Sequence, residues 1–335
     1  MADWLVAYFV IALALVFTFS NGVQDGSSVT AGVISCRALS PARAVVLVSL
    51  CEFSGALFGG SAVADMVGSV VKLPQCRELL LVLAAALTSA TAWNYATKIL
   101  KFPSSSTHAL FGGILGAAIA AGGFDAVAFG SLDPLHSSGM GKALISLIFS
   151  PMLGFIAGYS VLGLVSLLLS RATTRVNKPL QVLQIMALCM LAFGHGANDP
   201  QKAMGIIMLA LHSAHLSPGN QIPDWVRLAT GTAIALGVIA VAPGIVRRVG
   251  KIYKLRTLHG FALQISAGTI LLASSLTGFP VSTSQVISST IVGIGSSERI
   301  KDVHWLVARD IVVSWFLTIP CTSVLAGLLY ELAFR

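Results

Sequence analysis

Two short runs in this sequence place hydroxyl groups directly after a Phe-Pro pair: FPSSSTHALFGG from Phe102 and FPVSTSQVISST from Phe279, 177 residues further on. Proline presets a turn, and Ser and Thr are preferred where a helix start leaves backbone amides unpaired. Ser104, Ser105, Ser106 and Thr107, and likewise Ser282, Thr283 and Ser284, are therefore expected at helix N-termini. Free amides, about half a positive charge at the helix end and the added hydroxyls suit a tetrahedral oxyanion without a full cation. A single run of this kind reads more simply as a kink whose hydroxyls bond back to their own helix. Its duplication at a matched position favours the anion site.

A second constellation lies in SNGVQDGSS, with Asn21, Gln24 and Asp25, and in GHGANDPQKAMG, with His195, Asn198, Asp199, Gln201 and Lys202. Both interrupt apolar segments, where a carboxylate needs a partner or a function. Asp199 and Lys202, three residues apart, also read as a structural ion pair, whereas Asp25 has no basic neighbour in its own stretch. Gln24, Gln201 and Lys202 join the hydroxyls as anion-binding candidates. Asn21, Asp25, Asn198, Asp199 and Glu52 are candidates for a coupling cation, either a proton or sodium at Asp25 and Asp199. An inside-negative potential opposes anion entry by roughly 2.3 kcal/mol per charge per 100 mV, which a co-moving cation offsets. Glu52 reads equally well as a packing contact among Ser54, Gly55 and Ala56. His108 and His195 stand beside the motifs, while His136, His212, His215, His259 and His304 fall in or near connectors and are expected to be solvated.

The composition says what must position these groups. Of 335 residues, 56% are hydrophobic and 10% charged, against about 25% charged in a soluble domain. Runs such as WLVAYFVIALALVFTF and ALISLIFSPMLGFIAGYSVLGLVSLLL approach or exceed the roughly 20 residues that cross a bilayer as helix. Strict two-residue alternation is lacking, which excludes a membrane β-barrel. The net charge of +8 sits in short connectors, as the positive-inside bias requires, and does not indicate nucleic acid. The five cysteines have no C-x-x-C spacing, so neither a disulfide framework nor a zinc site is indicated. The first apolar segment lacks a basic lead and a cleavage site, and is expected to be a retained helix.

The landmarks repeat. Asp25 and Asp199 lie 174 residues apart, close to the spacing of the Phe-Pro pairs. Each half reads as a broken helix, a plain helix (about 43 to 71, then about 226 to 246) and a segment turning at Phe-Pro. Arg37 and Arg43 mark one connector, while its counterpart at 212 to 224 has no Lys or Arg; the basic run Arg247 to Arg256 reverses the asymmetry. Residues 37 to 43, 171 to 178 and 247 to 256 are thus expected in the cytoplasm, with both termini outside and the repeats inverted. The fold class is an all-α integral membrane protein, an inverted-topology repeat secondary transporter with broken helices and two re-entrant Phe-Pro hairpins. Its expected divisions are a first repeat at 1–140, a connecting helix and cytoplasmic loop at 141–178, a second repeat at 179–300 and a C-terminal transmembrane helix at 301–335.

These motifs resemble the inorganic phosphate transporter family of secondary carriers over nearly the whole chain. The most specific match is His-Gly-x-Asn-Asp-x-Gln-Lys-x-Met-Gly, met by His195, Gly196, Asn198, Asp199, Gln201, Lys202, Met204 and Gly205. The first half departs from the family's His-Asp-x-Ala-Asn-Ala, with Gln24, Asp25, Gly26, Ser27, Ser28 and Val29 in its place. The resemblance implies a carrier of the bacterial inner membrane, homodimeric and surrounded by lipid. In it the hydroxyl turns bind inorganic phosphate, and the Asn-Asp stretches hold a coupling cation in place of any cofactor. Sulfate or a related oxyanion fits the same donors. An anion channel would use the same helix ends without the carboxylates. A phosphoryl-transfer enzyme would need a nucleophile with its base, and the one local hint, His108 beside Thr107, has Gln285 as its repeat counterpart.

Overall fold

The computed structural model describes residues 2–100, 104–131, 137–171, 173, 176–217, 219, 221–240, 252, 253 and 255–333. Lys101, Phe102 and Pro103 of the first turn, His136, the end of the helix expected to reach 246 and most of the basic run 247–256 lie outside them. Among the described residues the chain is helical: α1 (Asp3–Ser35), α2 (Pro41–Phe58), α3 (Ala62–Gly68), α4 (Arg77–Ile99), α5 (Ser106–Gly122), α6 (Gly139–Leu168), α7 (Asn177–Ser213), α8 (Asp224–Ile239), α9 (Thr257–Thr277), α10 (Thr283–Arg299) and α11 (Trp305–Ala333). Seven of these, α1, α2, α4, α6, α7, α9 and α11, are long and apolar enough to cross a bilayer.

Two sequence expectations fail here. The stretches around Asp25 and Asp199 do not break their helices: α1 runs unbroken for 33 residues and α7 for 37, with Pro200 inside it. The glycines in those stretches serve close approach between helices. A Cβ on Gly22 would collide with the Ile234 carbonyl oxygen of α8, and one on Gly196 with the Glu52 carbonyl oxygen of α2. Small residues that let backbones touch are a standard device of membrane helix packing. Hydroxyls also bond back within α1, Thr18 to the Ala14 carbonyl and Thr30 to the Gly26 carbonyl, both at 2.8 Å. The interruption falls instead in the segment read as one helix from about 43 to 71, which stops at Phe58 and restarts at Ala62. Gly60, at φ +86°, makes that elbow, a backbone conformation that favours glycine.

Among the described residues the buried apolar side chains form two clusters, and the polar site lies between them. Val6 to Phe17 of α1 and Ala203 to Leu211 of α7 belong to one; Val29 and Val33 of α1 with Leu188, Leu191 and Ala192 of α7 belong to the other. Each long helix is thus apolar, polar, then apolar, and the polar middles meet where α5 and α10 begin. Helix α7 packs on α9, α2, α1 and α3, and α1 on α8 and α4. Helix α6 packs on α10 and α9, and α11 correspondingly on α5 and α4.

Candidate functional site

Helices α5 and α10 start as their hydroxyl runs anticipate. Ser105 caps α5, its Oγ accepting from the His108 amide at 3.2 Å, and Ser282 caps α10, its Oγ accepting from the Gln285 amide at 3.4 Å. Pro280 stands two residues ahead of its cap, so it shapes the approach to the helix without occupying the first helical position. Gly278, at φ +71°, closes α9 and turns the chain toward it. The two caps touch: Ser105 Oγ and Ser282 Oγ are 2.8 Å apart. Two helix N-termini therefore converge on one buried point, each contributing amides and a partial positive charge.

Beside the caps lies an ionic cluster. Lys202, fully buried, donates to Asp199 Oδ1 at 2.6 Å, to Thr107 Oγ1 at 2.7 Å and to the Val281 carbonyl at 3.0 Å. The i,i+3 ion pair thus exists, and its ammonium also reaches the tips of both hydroxyl runs. The other Asp199 oxygen accepts from Asn21 Nδ2 at 3.0 Å and lies 3.2 Å from His195 Nε2. The second imidazole nitrogen of His195 is 2.8 Å from Glu52 Oε1. Ser106 Oγ is within hydrogen-bond distance of Asn21 Oδ1, at 2.9 Å, and of Asp25 Oδ2, at 3.0 Å. Asp25 Oδ1 is buried without a partner.

One ligand atom from each of Asp25, His195 and Asp199 can be chosen so that all lie within 4.8 Å of one another. Two carboxylates, an imidazole and an unpartnered carboxylate oxygen suit a bound cation or an exchangeable proton. Glu52, ambiguous in the sequence, is joined to this cluster through His195.

The other candidates are engaged as follows. Ser104 Oγ accepts from Trp93 Nε1 at 2.9 Å and lies 3.1 Å from Thr318 Oγ1, while its carbonyl accepts from the Gln24 amide, whose own oxygen is buried without a partner. Asn198 donates to Ser274 Oγ and to the Phe279 carbonyl, both at 3.1 Å, and so braces the second turn. Gln201 is engaged at the α2–α3 elbow: its oxygen accepts from the Val63 amide at 2.9 Å and its nitrogen donates to the Gly59 carbonyl at 3.0 Å. Ser284 Oγ is 3.2 Å from Ser282 Oγ, and Thr283 Oγ1 is buried and unpartnered.

Sequence reasoning paired Gln285 with His108 through the repeat offset without giving it a role, and passed over Ser150. Gln285 Nε2 is 3.3 Å from His108 Nε2, and Ser150 Oγ is 3.0 Å from Gln285 Oε1. His108 and Gln285 help line an apolar cleft of about 830 Å³ between α6, α10 and α11. Of the connector histidines, His259 departs from expectation: it is buried, with Nε2 3.0 Å from Glu298 Oε2. All five cysteines are free.

Membrane-length helices around a buried polar and charged cluster are those of a multi-pass membrane protein. The chain belongs to the Phosphate transporter family, whose profile matches residues 21–175 and 169–326. It is similar to proteins of Bacillus subtilis and Rhizobium meliloti, each called "Probable low-affinity inorganic phosphate transporter". The first is 36% identical, over 96% of this chain and 95% of its own length. The second is also 36% identical, over 96% of this chain and 94% of its own. Its fold resembles a solved structure described as "The sodium-dependent phosphate transporter", with a TM-score of 0.85 and 23% identity over 97% of this chain and 98% of the other. These relatives are transporters, not enzymes.

Proposed function

We propose that this chain imports inorganic phosphate across the cell membrane by symport with a proton or a sodium ion. The observation that carries the proposal is the meeting of the two capped helix starts, Ser105 against Ser282 at 2.8 Å, beside the Lys202–Asp199 pair. Ser105, Ser106, Thr107, Ser282, Thr283 and Ser284 donate to the anion, and Lys202 adds a charge already balanced by Asp199. Ser104, Gln24 and Gln201 position the backbone around them. Asp25 Oδ1, on the carboxylate that Ser106 contacts, is an acceptor that protonated phosphate can satisfy and sulfate cannot. Sulfate or a related oxyanion is the alternative substrate.

Asp25 and Asp199, with Asn21 and with Glu52 acting through His195, hold the coupling ion, and Asn198 braces the turn beside them. His195 between Glu52 and Asp199 supports a proton. The open oxygen of Asp25 supports sodium, as does the sodium dependence in the name of the fold relative.

The inverted repeat belongs to the same proposal. The last helix of each half, α6 or α11, lies on the hairpin of the other half. Helices α5 and α10 have 17 residues each, about 25 Å at 1.5 Å per residue. They are short for a hydrocarbon core of about 30 Å, which suits re-entrant hairpins. The repeats then occupy 1–140 and 179–300, joined by 141–178 and followed by 301–335, with both termini outside. The exposed apolar side chains of α6, among them Ile148, Met152 and Ile156, suit lipid and a second copy of the chain.

Radiolabelled phosphate uptake into proteoliposomes, with imposed proton or sodium gradients and excess sulfate, tests the whole. Accumulation driven by one gradient and indifferent to sulfate is the expected result. Accumulation of sulfate in preference to phosphate would overturn the substrate, and equilibration without accumulation would overturn symport.

A further inference from the structure

We propose that His108, Gln285 and Ser150 are positioning residues that aim the Ser105 hydroxyl hydrogen toward the anion; this rests on the phosphate site proposed above. The argument is one of donors and acceptors along a chain of side chains drawn from α6, α10 and α5. Ser150 Oγ donates to Gln285 Oε1 at 3.0 Å, which orients the amide so that its nitrogen faces His108. Gln285 Nε2 is only a donor, so His108 Nε2, 3.3 Å away, must accept. A neutral imidazole that accepts at Nε2 carries its hydrogen on Nδ1. That hydrogen points to Ser105 Oγ at 2.8 Å.

Ser105 Oγ therefore accepts twice, from the His108 ring and from the His108 amide. Its own hydrogen is directed outward, along the 2.8 Å line to Ser282 Oγ, to the meeting point of the two helix starts. With the Gln285 amide reversed, each polarity inverts. His108 would donate from Nε2, its Nδ1 would accept from Ser105, and the Ser105 hydrogen would turn away from the site. The orientation of one amide in α10 thus decides whether the cap of α5 is a donor or an acceptor toward the anion. Beyond the relay the cleft is lined mainly by apolar side chains such as Leu147, Phe155 and Ile311, so the protein itself supplies the relay's polar partners.

The test is phosphate uptake and equilibrium phosphate binding with Gln285→Leu, Ser150→Ala, His108→Leu, the pair His108→Leu/Gln285→Leu, and Gln285→His, which restores an N–H donor. Losing one oriented neutral hydrogen bond corresponds to about a fivefold change. Gln285→Leu and Ser150→Ala should therefore raise the phosphate KM and Kd about fivefold with Vmax within twofold, and Gln285→His should recover most of it. In the His108→Leu background, Gln285→Leu should add nothing, because its action passes through the imidazole. Ser150→Ala is the mild variant that retains the whole apolar packing if Gln285→Leu folds poorly. Unchanged KM and Kd in Ser150→Ala and Gln285→Leu, or effects that add fully to His108→Leu, would overturn the relay. Ser105→Ala separates the two levels: if it leaves phosphate binding intact, the anion site itself is wrong. If it weakens binding while the relay variants do not, only the relay is.

Discussion

Neutralising Lys202 probes the balance at the centre of the site. Its ammonium is fully buried and held by Asp199 Oδ1 at 2.6 Å, Thr107 Oγ1 at 2.7 Å and the Val281 carbonyl at 3.0 Å. Lys202→Met leaves the Asp199 carboxylate without that cation, and breaking a buried pair from one side costs about 3–5 kcal/mol. Asp199→Asn strands the ammonium instead, at a similar cost. The double variant strands neither, so much of the loss should return, as a coupling energy of about 2–3 kcal/mol. At about 2 °C per kcal/mol, each single variant should unfold about 6–10 °C below the parent, and the double variant about 4–6 °C above the additive sum. Thermal unfolding of the detergent-purified proteins reads this directly. Additive losses across the cycle would refute the pairing argument. Phosphate binding by the double variant then separates balance from contact. If neutral donors hold the anion, affinity falls by no more than about tenfold, or 1.4 kcal/mol; a thousandfold loss would make the Lys202 charge the principal ligand.

Thr283→Ala removes a buried hydroxyl that has no protein partner, so it should lower phosphate affinity about fivefold while leaving the unfolding temperature within a degree or two; the reverse pattern in binding and melting would make the hydroxyl structural. Asp25→Asn keeps the shape of the side chain but removes its charge, and should abolish gradient-driven accumulation while sparing phosphate counterflow; normal coupled uptake would remove Asp25 from the coupling site. Gly196→Ala drives a Cβ into the Glu52 backbone and should abolish recovery of monodisperse protein on size exclusion, whereas a normal elution profile would contradict the close contact of α2 and α7. At the far end of α10, burial alone would raise the Glu298 carboxyl above its ordinary 4.5, but Tyr253, His259 and Arg256 outweigh it and hold the value lower. Its stabilisation is then complete above about pH 4.5 and fades as pH falls through the lower folded value. Glu298→Gln should flatten the melting temperature against pH in that acid window, and an unchanged slope would dismiss the cluster.

What could be read from the sequence was local, and what could not was between helices. Ser105 and Ser282 were legible as caps because capping needs only a hydroxyl ahead of an apolar helix, and the offset repeated it. Continuity of α1 and α7 was not legible, because Gly22 and Gly196 look like helix breakers until Ile234 and Glu52, far away in sequence, are seen against them. The true elbow, Gly59–Gly60–Ser61, carried a turn signal that the surrounding apolar run hid. Gln201 sits in the most specific motif of the chain, yet its hydrogen bonds go to backbone groups, of that elbow and of Ala197 on its own helix. A motif thus marks residues that share a task without saying which of them touch the ligand.

The same distinction explains why the site holds together. Asp25, Asp199, Glu52 and Lys202 are each costly alone in a membrane interior, and no two adjacent turns of one helix could satisfy them all. They are tolerable because α1, α2 and α7 bring their polar middles, and α5 its start, to one level, where every one of these side chains meets a group from another helix or turn. Asp25 Oδ1, buried without a partner as Glu52 Oε2 also is, then carries meaning that an exposed carboxylate would lack. Of these open acceptors it is the one on a carboxylate that contacts a donor-rich helix start, where a proton, a cation or a protonated oxyanion has something to gain by binding. Exchange among those three at one atom is the simplest physical basis that this arrangement offers for the symport proposed above.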